Sequence, residues 1–227
     1  MRKYTAEQYI KLVENIDDDT LQAHMKAEIG IISQVKNSKT KTFIDLGAGH
    51  GRILPELVKI ARNVISIDFN PDMLAELKRR TKMYENASVI EGDIQELSKL
   101  LEEADVQDPV LLITQNTLGT IEGDYKKVLS EMKAVTKRHK GEVIISLFRQ
   151  EALRDWGTKL YSTIKEMVGE PDLERTNFEK GLFVSKTGYT SKWWTSAEIK
   201  EIKDFFGGKI MKEVLTPNFA IIHISLR

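Results

Sequence analysis

The chain has 227 residues, 41% of them hydrophobic, and its 34 lysines and arginines equal its 34 aspartates and glutamates, so no net charge draws it to phosphate backbones or anionic membranes. It has no cysteine, which excludes disulfides, thiolate metal sites and a cysteine nucleophile, and its four histidines lack metal-ligand spacing. Residues 1–14 carry charges in place of an apolar signal core, and no run approaches the roughly 18 apolar residues of a membrane span; a cytoplasmic chain without metal or membrane contact is expected.

In chain order, residues 6–14 and 21–35 read as helices, the second with Leu21, Met25, Ile29 and Ile32 on one face. From residue 42 short β-branched runs alternate with helical patterns: 42–46, 63–68, 87–91, 110–114 and 141–148. Such alternation predicts a parallel sheet covered by helices on both faces. Asn70-Pro71 reads as an N-cap with proline at the first helical position, and Pro55 fits the first turn of the helix carrying Leu57 and Val58. Residues 150–168 are expected as one long amphipathic helix. A polar, glycine-punctuated stretch to Trp194 then reads as an insertion over an acceptor pocket. A helix at 197–206 leads to two β-rich runs, 209–215 and 219–226, joined by Thr216-Pro217-Asn218 as an antiparallel hairpin. The expected organisation is one domain: a helical lid (1–40), a core (42–148), the insertion (150–194), and a terminal helix and hairpin (195–227).

The chemistry concentrates where the strand Thr42-Phe43-Ile44 runs into Asp45 and then Gly47, Gly49 and Gly51. Glycines at a strand-to-helix turn permit positive φ and let a ligand approach the backbone without meeting a Cβ. The helix start beyond them leaves N–H groups and a positive dipole end for an anionic group. Asp68 ends the second strand, where a carboxylate can accept bonds from two ribose hydroxyls. Asp93 ends the third, beside Ile94, which can lie on a planar base.

Ile44-Asp45-Leu46-Gly47-Ala48-Gly49-His50-Gly51 resembles motif I of class I S-adenosylmethionine methyltransferases, and the match extends through Ile67-Asp68-Phe69-Asn70 and Glu91-Gly92-Asp93-Ile94. The resemblance covers residues 42–148, with an echo in the terminal hairpin. It implies an α/β, three-layer Rossmann-like sheet of seven strands, mostly parallel, with an antiparallel hairpin strand beside the fifth. It also implies S-adenosylmethionine as cofactor, converted to S-adenosylhomocysteine, with Asp45 and the loop Gly47, Ala48, Gly49 and Gly51 at the methionine end. By the same likeness Asp68 serves the ribose and Asp93 with Ile94 the adenine, with Phe69 a further cofactor contact.

Gln115-Asn116-Thr117-Leu118-Gly119 is similar to the Asn-Ser/Thr-Leu segment of small-molecule methyltransferases and departs from the Asn-Pro-Pro-Tyr type of base and glutamine N-methyltransferases. Asn116 is therefore a candidate for the transfer site, touching cofactor and acceptor. Arg149, at the end of the fifth strand, is a candidate clamp for an acceptor carboxylate. A small N or O nucleophile is the expected acceptor. RNA or protein acceptors and a non-catalytic cofactor-binding subunit remain as alternatives. A dinucleotide oxidoreductase is disfavoured because Arg52 stands where its third glycine belongs. Tyr9, His24, Tyr189 and His223 are candidate general bases, Tyr4 and Tyr9 belong to the lid, and at most one of Trp193 and Trp194 is expected to line a pocket. Oligomeric state is left open.

Overall fold

The computed structural model describes residues 5–227. Strands β1 (Thr42–Leu46), β2 (Asn63–Asp68), β3 (Ala87–Glu91), β4 (Val110–Ile113) and β5 (Glu142–Phe148) are followed by the short β6 (Leu182–Val184) and β7 (Thr190–Lys192), then β8 (Lys209–Leu215) and β9 (Phe219–Ser225). β6 and β7 form their own antiparallel ribbon; the other seven make one sheet in the order β3-β2-β1-β4-β5-β9-β8. β1 to β5 run parallel, and β9 is inserted antiparallel between β5 and β8. This is the seven-stranded Rossmann-like arrangement, with the reversed hairpin strand beside the fifth.

β1, β4, β5 and β9 are buried along their whole length, so they read as continuous apolar runs instead of alternating ones. Successive side chains still point to opposite faces. Phe43, Val64, Leu112 and Ile144 pack toward α2 (Asp19–Ile32), α3 (Leu54–Ile60) and α4 (Pro71–Thr81), which follow the short α1 (Ala6–Tyr9) and its π-turn extension Ile10–Glu14. Ile44, Ile65, Leu111 and Ile145 pack toward the other face. That face is covered by α5 (Leu97–Leu100), α6 (Tyr125–His139) and, beyond α7 (Thr158–Thr163) and α8 (Lys165–Val168), α9 (Ser196–Phe206). Caps fix the helix starts: Asp18 accepts from Leu21 N, Asn70 from Asp72 N with Pro71 following, and Thr195 pairs with Glu198 in a capping box.

Two expectations are corrected. Residues 150–168 are not one helix but a 3-10 turn (Gln150–Ala152), a π turn (Leu153–Gly157), α7 and α8. A Cβ on Gly157 would stand 2.9 Å from Leu153 Cδ1 and from the Trp193 ring, so the backbone there is pressed into the core. The Trp156 indole meanwhile turns to donate to Asp18 Oδ1 at 3.1 Å. The polar stretch beyond holds the β6–β7 ribbon, whose three-residue strands are too short to show a period. On α2, Glu28 is buried where Ile29 was expected inward, and Ile29 is only half-buried.

Candidate cofactor and acceptor site

The turn after β1 is built as its glycines require. Gly47 N and Ala48 N both donate to Ile67 O at 2.9 Å, drawing the loop across the end of β2. Gly47, Gly49 and Gly51 take φ of 69°, 57° and 86°. A Cβ on Gly47 would stand 2.6 Å from Thr117 Cγ2 and one on Gly51 2.8 Å from Leu77 Cδ1, whereas one on Gly49 would meet nothing within 4 Å. Gly47 and Gly51 thus serve close packing, and Gly49 borders open space. Asp68 Oδ2 accepts from Gly49 N at 2.7 Å and Oδ1 from Asn70 N at 2.8 Å, so the carboxylate that closes β2 also fixes the loop. α3 starts at Leu54 without a side-chain cap.

A cavity of about 330 Å³ opens at the carboxyl ends of the parallel strands, the position where open α/β sheets bind ligands. Asp45, Gly47, Ala48, Gly49, Asp68 and Phe69 line one end, and Asp93, Ile94 and Asn116 join them from the ends of β3 and β4. Phe69 is 48% exposed at the rim, while Ile94 is buried. Gly51 does not line the cavity; it packs on Leu54 and Leu77.

The charges around the loop form one coupled group. Burial pushes the Asp45 carboxyl from an ordinary 3.8 up to about 7; Arg52 opposes this, and Asp68 and Glu28 add to it. Asp68 is likewise raised by burial, against the N–H bonds it accepts. Burial works against ionisation of Glu28 too, but Arg52, His24 and a bond from Gln115 N outweigh it and hold Glu28 below its usual range. Arg52 Nη2 lies 2.5 Å from Glu28 Oε2, and Gln115 N donates to Glu28 Oε1 at 2.6 Å. A buried carboxylate on α2 therefore holds the cation that follows the glycine loop and the strained Gln115 backbone, φ 50°, after β4.

Asn116, also at positive φ (56°), lines the cavity, yet its side-chain amide is occupied in the protein. Its Oδ1 accepts from Phe148 N at 3.1 Å and Trp194 Nε1 at 3.0 Å, and its Nδ2 donates to Lys192 O at 3.0 Å. It pins the loop after β4 to β5 and β7. Arg149 is outside the cavity, donating to Thr216 O (2.7 Å), Glu151 Oε1 (2.7 Å) and Ser196 Oγ (2.9 Å), so it braces the hairpin turn against α9. Of the candidate bases, Tyr9 and Tyr189 line the cavity. His24 is buried behind it, its Nε2 2.5 Å from Ser146 Oγ, and His223 sits at the far end of the sheet, 2.7 Å from Glu142 Oε2. Trp193 and Trp194 are both fully buried, on opposite faces of the sheet, and neither lines the cavity. Tyr4 lies outside the described residues.

The roles of Glu28, Arg52 and Gln115 were not anticipated. One signal was present: His24 and Glu28, four apart, interrupt the apolar stripe of α2, and polar residues on such a stripe mark a buried network. The N-terminal segment closes this side. Tyr9 Oη donates to Gln115 Oε1 at 2.5 Å, and Glu14 Oε1 lies 2.6 Å from His50 Nε2 in the glycine loop. The latter pair is poorly aligned for a hydrogen bond, so it is an ionic contact when His50 carries its proton.

Comparison with known proteins agrees with this geometry. The model of a methyltransferase domain family matches residues 37–205. A probable ribosomal RNA small subunit methyltransferase A from Methanosarcina acetivorans is 30% identical over 83 residues, 35% of this chain and 31% of that protein, so the chain spans under a third of the relative's length. Among solved structures, a SAM-dependent methyltransferase from Aquifex aeolicus superposes with a TM-score of 0.62 at 15% identity, covering 99% of this chain and 100% of that one. A 1,6-didemethyltoxoflavin N1-methyltransferase from Burkholderia thailandensis, solved with S-adenosylhomocysteine, gives 0.57 at 12% identity over 99% and 92%. With its family model, its sheet order and its motif I turn in agreement, the chain belongs to the class I, S-adenosylmethionine-dependent methyltransferases.

Proposed function

We propose that the chain transfers a methyl group to the N or O nucleophile of a small molecule, with the cofactor held at the glycine-loop end of the cavity. The observation that carries this is the convergence of Asp45, the Gly47–Gly49 turn, Asp68 and Asp93 on one cavity. The residues fit the group: Gly49 leaves room for a ligand against the backbone, and the buried Asp45 carboxyl offers a partner to a cationic amino-acid end. Asp68 and Asp93 offer acceptors for ribose hydroxyls and an exocyclic amine, and Phe69 and Ile94 offer apolar faces for the base. S-adenosylmethionine supplies a methyl already activated on sulfonium sulfur. The chain's part is then to align the nucleophile in line with that methyl and exclude water. Tyr9, Tyr161 and Tyr189 bring hydroxyls to the acceptor side. Residues 1–40 as a lid, 150–194 as an acceptor-side cover and a cytoplasmic location belong to the same proposal.

A ribosomal RNA acceptor is the second reading, favoured by the 83-residue likeness to an RNA methyltransferase. The balanced charge of the chain and the Asn116-Thr117-Leu118 segment support the small-molecule reading instead. Calorimetry with S-adenosylmethionine tests the cofactor end directly. Wild type is expected to bind, and Asp68→Ala to weaken binding by about tenfold or more, the loss of a charged hydrogen-bond partner. No binding by wild type at millimolar concentration defeats the proposal.

A further inference from the structure

The cavity is divided by charge. Among the described residues that line it, the carboxylates, the imidazole and the guanidinium (Asp45, His50, Arg52, Asp68, Asp93 and Glu122) all come from the carboxyl ends of β1 to β4 and the segments that follow them. The remaining walls, from the N-terminal segment, α2, the end of β5 and residues 160–191, bring Val13, Leu21, Phe148, Leu160, Ile164 and Met167, with hydroxyls from Tyr9, Tyr161, Tyr189 and Ser191. We propose that the methyl acceptor is an uncharged, largely apolar small molecule with a flat aromatic body, seated between β5 and the α7–α8 cover. This rests on the reading of the opposite end as the cofactor site.

Three observations carry it. First, among the described residues no cation at this end is available to an acidic acceptor: Arg52, on the opposite wall, is paired with Glu28 at 2.5 Å, and Arg149 is tied to Thr216, Glu151 and Ser196 outside the cavity. A carboxylate or phosphate moved among these walls would lose its hydration without a partner. Second, a cationic acceptor meets the same apolar walls, while Asp45, Asp68 and Asp93 lie at the other end. Third, the aromatic walls are stiff. Tyr161 stacks on Phe183 at 3.8 Å and 21°, and Phe148 is held by edge contacts to Trp156 at 5.0 Å and a tilted contact to Trp193 at 4.9 Å. Rings backed by a second aromatic layer present fixed flat faces, which favour a flat apolar partner at little ordering cost. Met167, half-buried, adds a thioether that can adapt to the ligand edge.

The test uses the full chain saturated with S-adenosylhomocysteine, with probes of one shape and different charge titrated by calorimetry. 4-Ethylphenol and 4-ethylaniline are uncharged, 4-hydroxyphenylacetate is anionic, tyramine is cationic, and an adenine-rich decanucleotide RNA is the macromolecular arm. The uncharged pair is expected to bind at least about tenfold tighter than any charged probe. Met167→Lys, at a half-buried position, is expected to cut that affinity about tenfold, improve binding of the anion, and leave S-adenosylhomocysteine affinity, which also reports that the variant is folded, unchanged. A charged probe or the RNA binding as tightly as the phenol overturns the inference, as does failure of both uncharged probes at millimolar concentration. If S-adenosylhomocysteine itself does not bind, the reading of the cofactor site has failed; if it binds and the probes rank otherwise, only the acceptor class has.

Discussion

Asp45 is 2% exposed, and burial raises its carboxyl from 3.8 to about 7. Between about pH 4 and pH 7 the folded chain holds a proton that the unfolded chain has released, so stability falls as pH rises through that window and stays lower above it. A ligand with a cationic end restores the ionised form, so S-adenosylmethionine affinity is expected to rise as pH passes 7. Asp45→Asn should therefore stabilise the free protein by about 4 kcal/mol at pH 8 in urea unfolding. It should also weaken the cofactor at least about tenfold in calorimetry. A variant less stable than wild type, with unchanged binding, would contradict both. The glycines divide in a complementary way. Gly49→Ala puts a methyl into open space but at φ 57°, so beside a strain cost of about 1 kcal/mol it should act on affinity; Gly51→Ala also meets Leu77 at 2.8 Å and should lower stability more, by about 1–3 kcal/mol, with less change in binding. The triple-glycine pattern was legible in the sequence, but which glycine faces the cavity was not, because that depends on Leu77 and Thr117, distant along the chain.

At the scale of elements, strands were legible where burial on both faces produced β-branched runs, and helix starts where Asn70-Pro71 or Thr195 to Glu198 capped them. The region around 150–168 was not, since π and α turns share nearly the same apolar spacing, and the close approach of Gly157 to Trp193 at the end of the π turn joins residues far apart in the chain. The N-terminal segment is the element whose motion the site would feel most. It is fastened to the glycine loop by Glu14–His50 and to the loop after β4 by Tyr9–Gln115. Burial raises the Glu14 carboxyl, but His50, then Arg52 and Arg80, bring it below its usual range. Glu14→Gln keeps the shape and removes the charge. In stopped-flow displacement it should speed S-adenosylhomocysteine release several-fold, and in hydrogen exchange it should deprotect residues 6–14 while leaving α2 protected. An unchanged release rate would mean that this segment is packing and not a gate.

The whole molecule separates its chemistry from its foundation. The cavity occupies the carboxyl ends of the strands, and at the amino ends Lys41, Glu142 and His223 form a buried ionic cluster that the exposed Arg227 covers. Lys41 Nζ is 2.6 Å and Arg227 Nη2 3.1 Å from Glu142 Oε1, and His223 Nε2 is 2.7 Å from Oε2. This joins the start of β1 to the first residue of β5, to β9 and to the chain end. Burial alone would raise the Glu142 carboxyl, but His223 and Lys41 bring it from 4.5 down to about 2. A depressed carboxyl adds stability that is fully present above about pH 4.5 and lost as pH falls through 2. The shift corresponds to about 3 kcal/mol at neutral pH. Glu142→Gln removes that increment and strands the Lys41 ammonium, which is 1% exposed, so the loss at pH 7 should be at least about 3 kcal/mol in urea unfolding. The gap between variant and wild type should narrow as the pH is lowered from 5 toward 2, because wild type then loses the same interaction. Cofactor affinity measured at pH 7 in the folded variant should be unchanged, since the cluster lies at the opposite end of the sheet from the cavity. A gap that stays constant down to pH 2.5 would show that the ionic cluster is not the source of the stability.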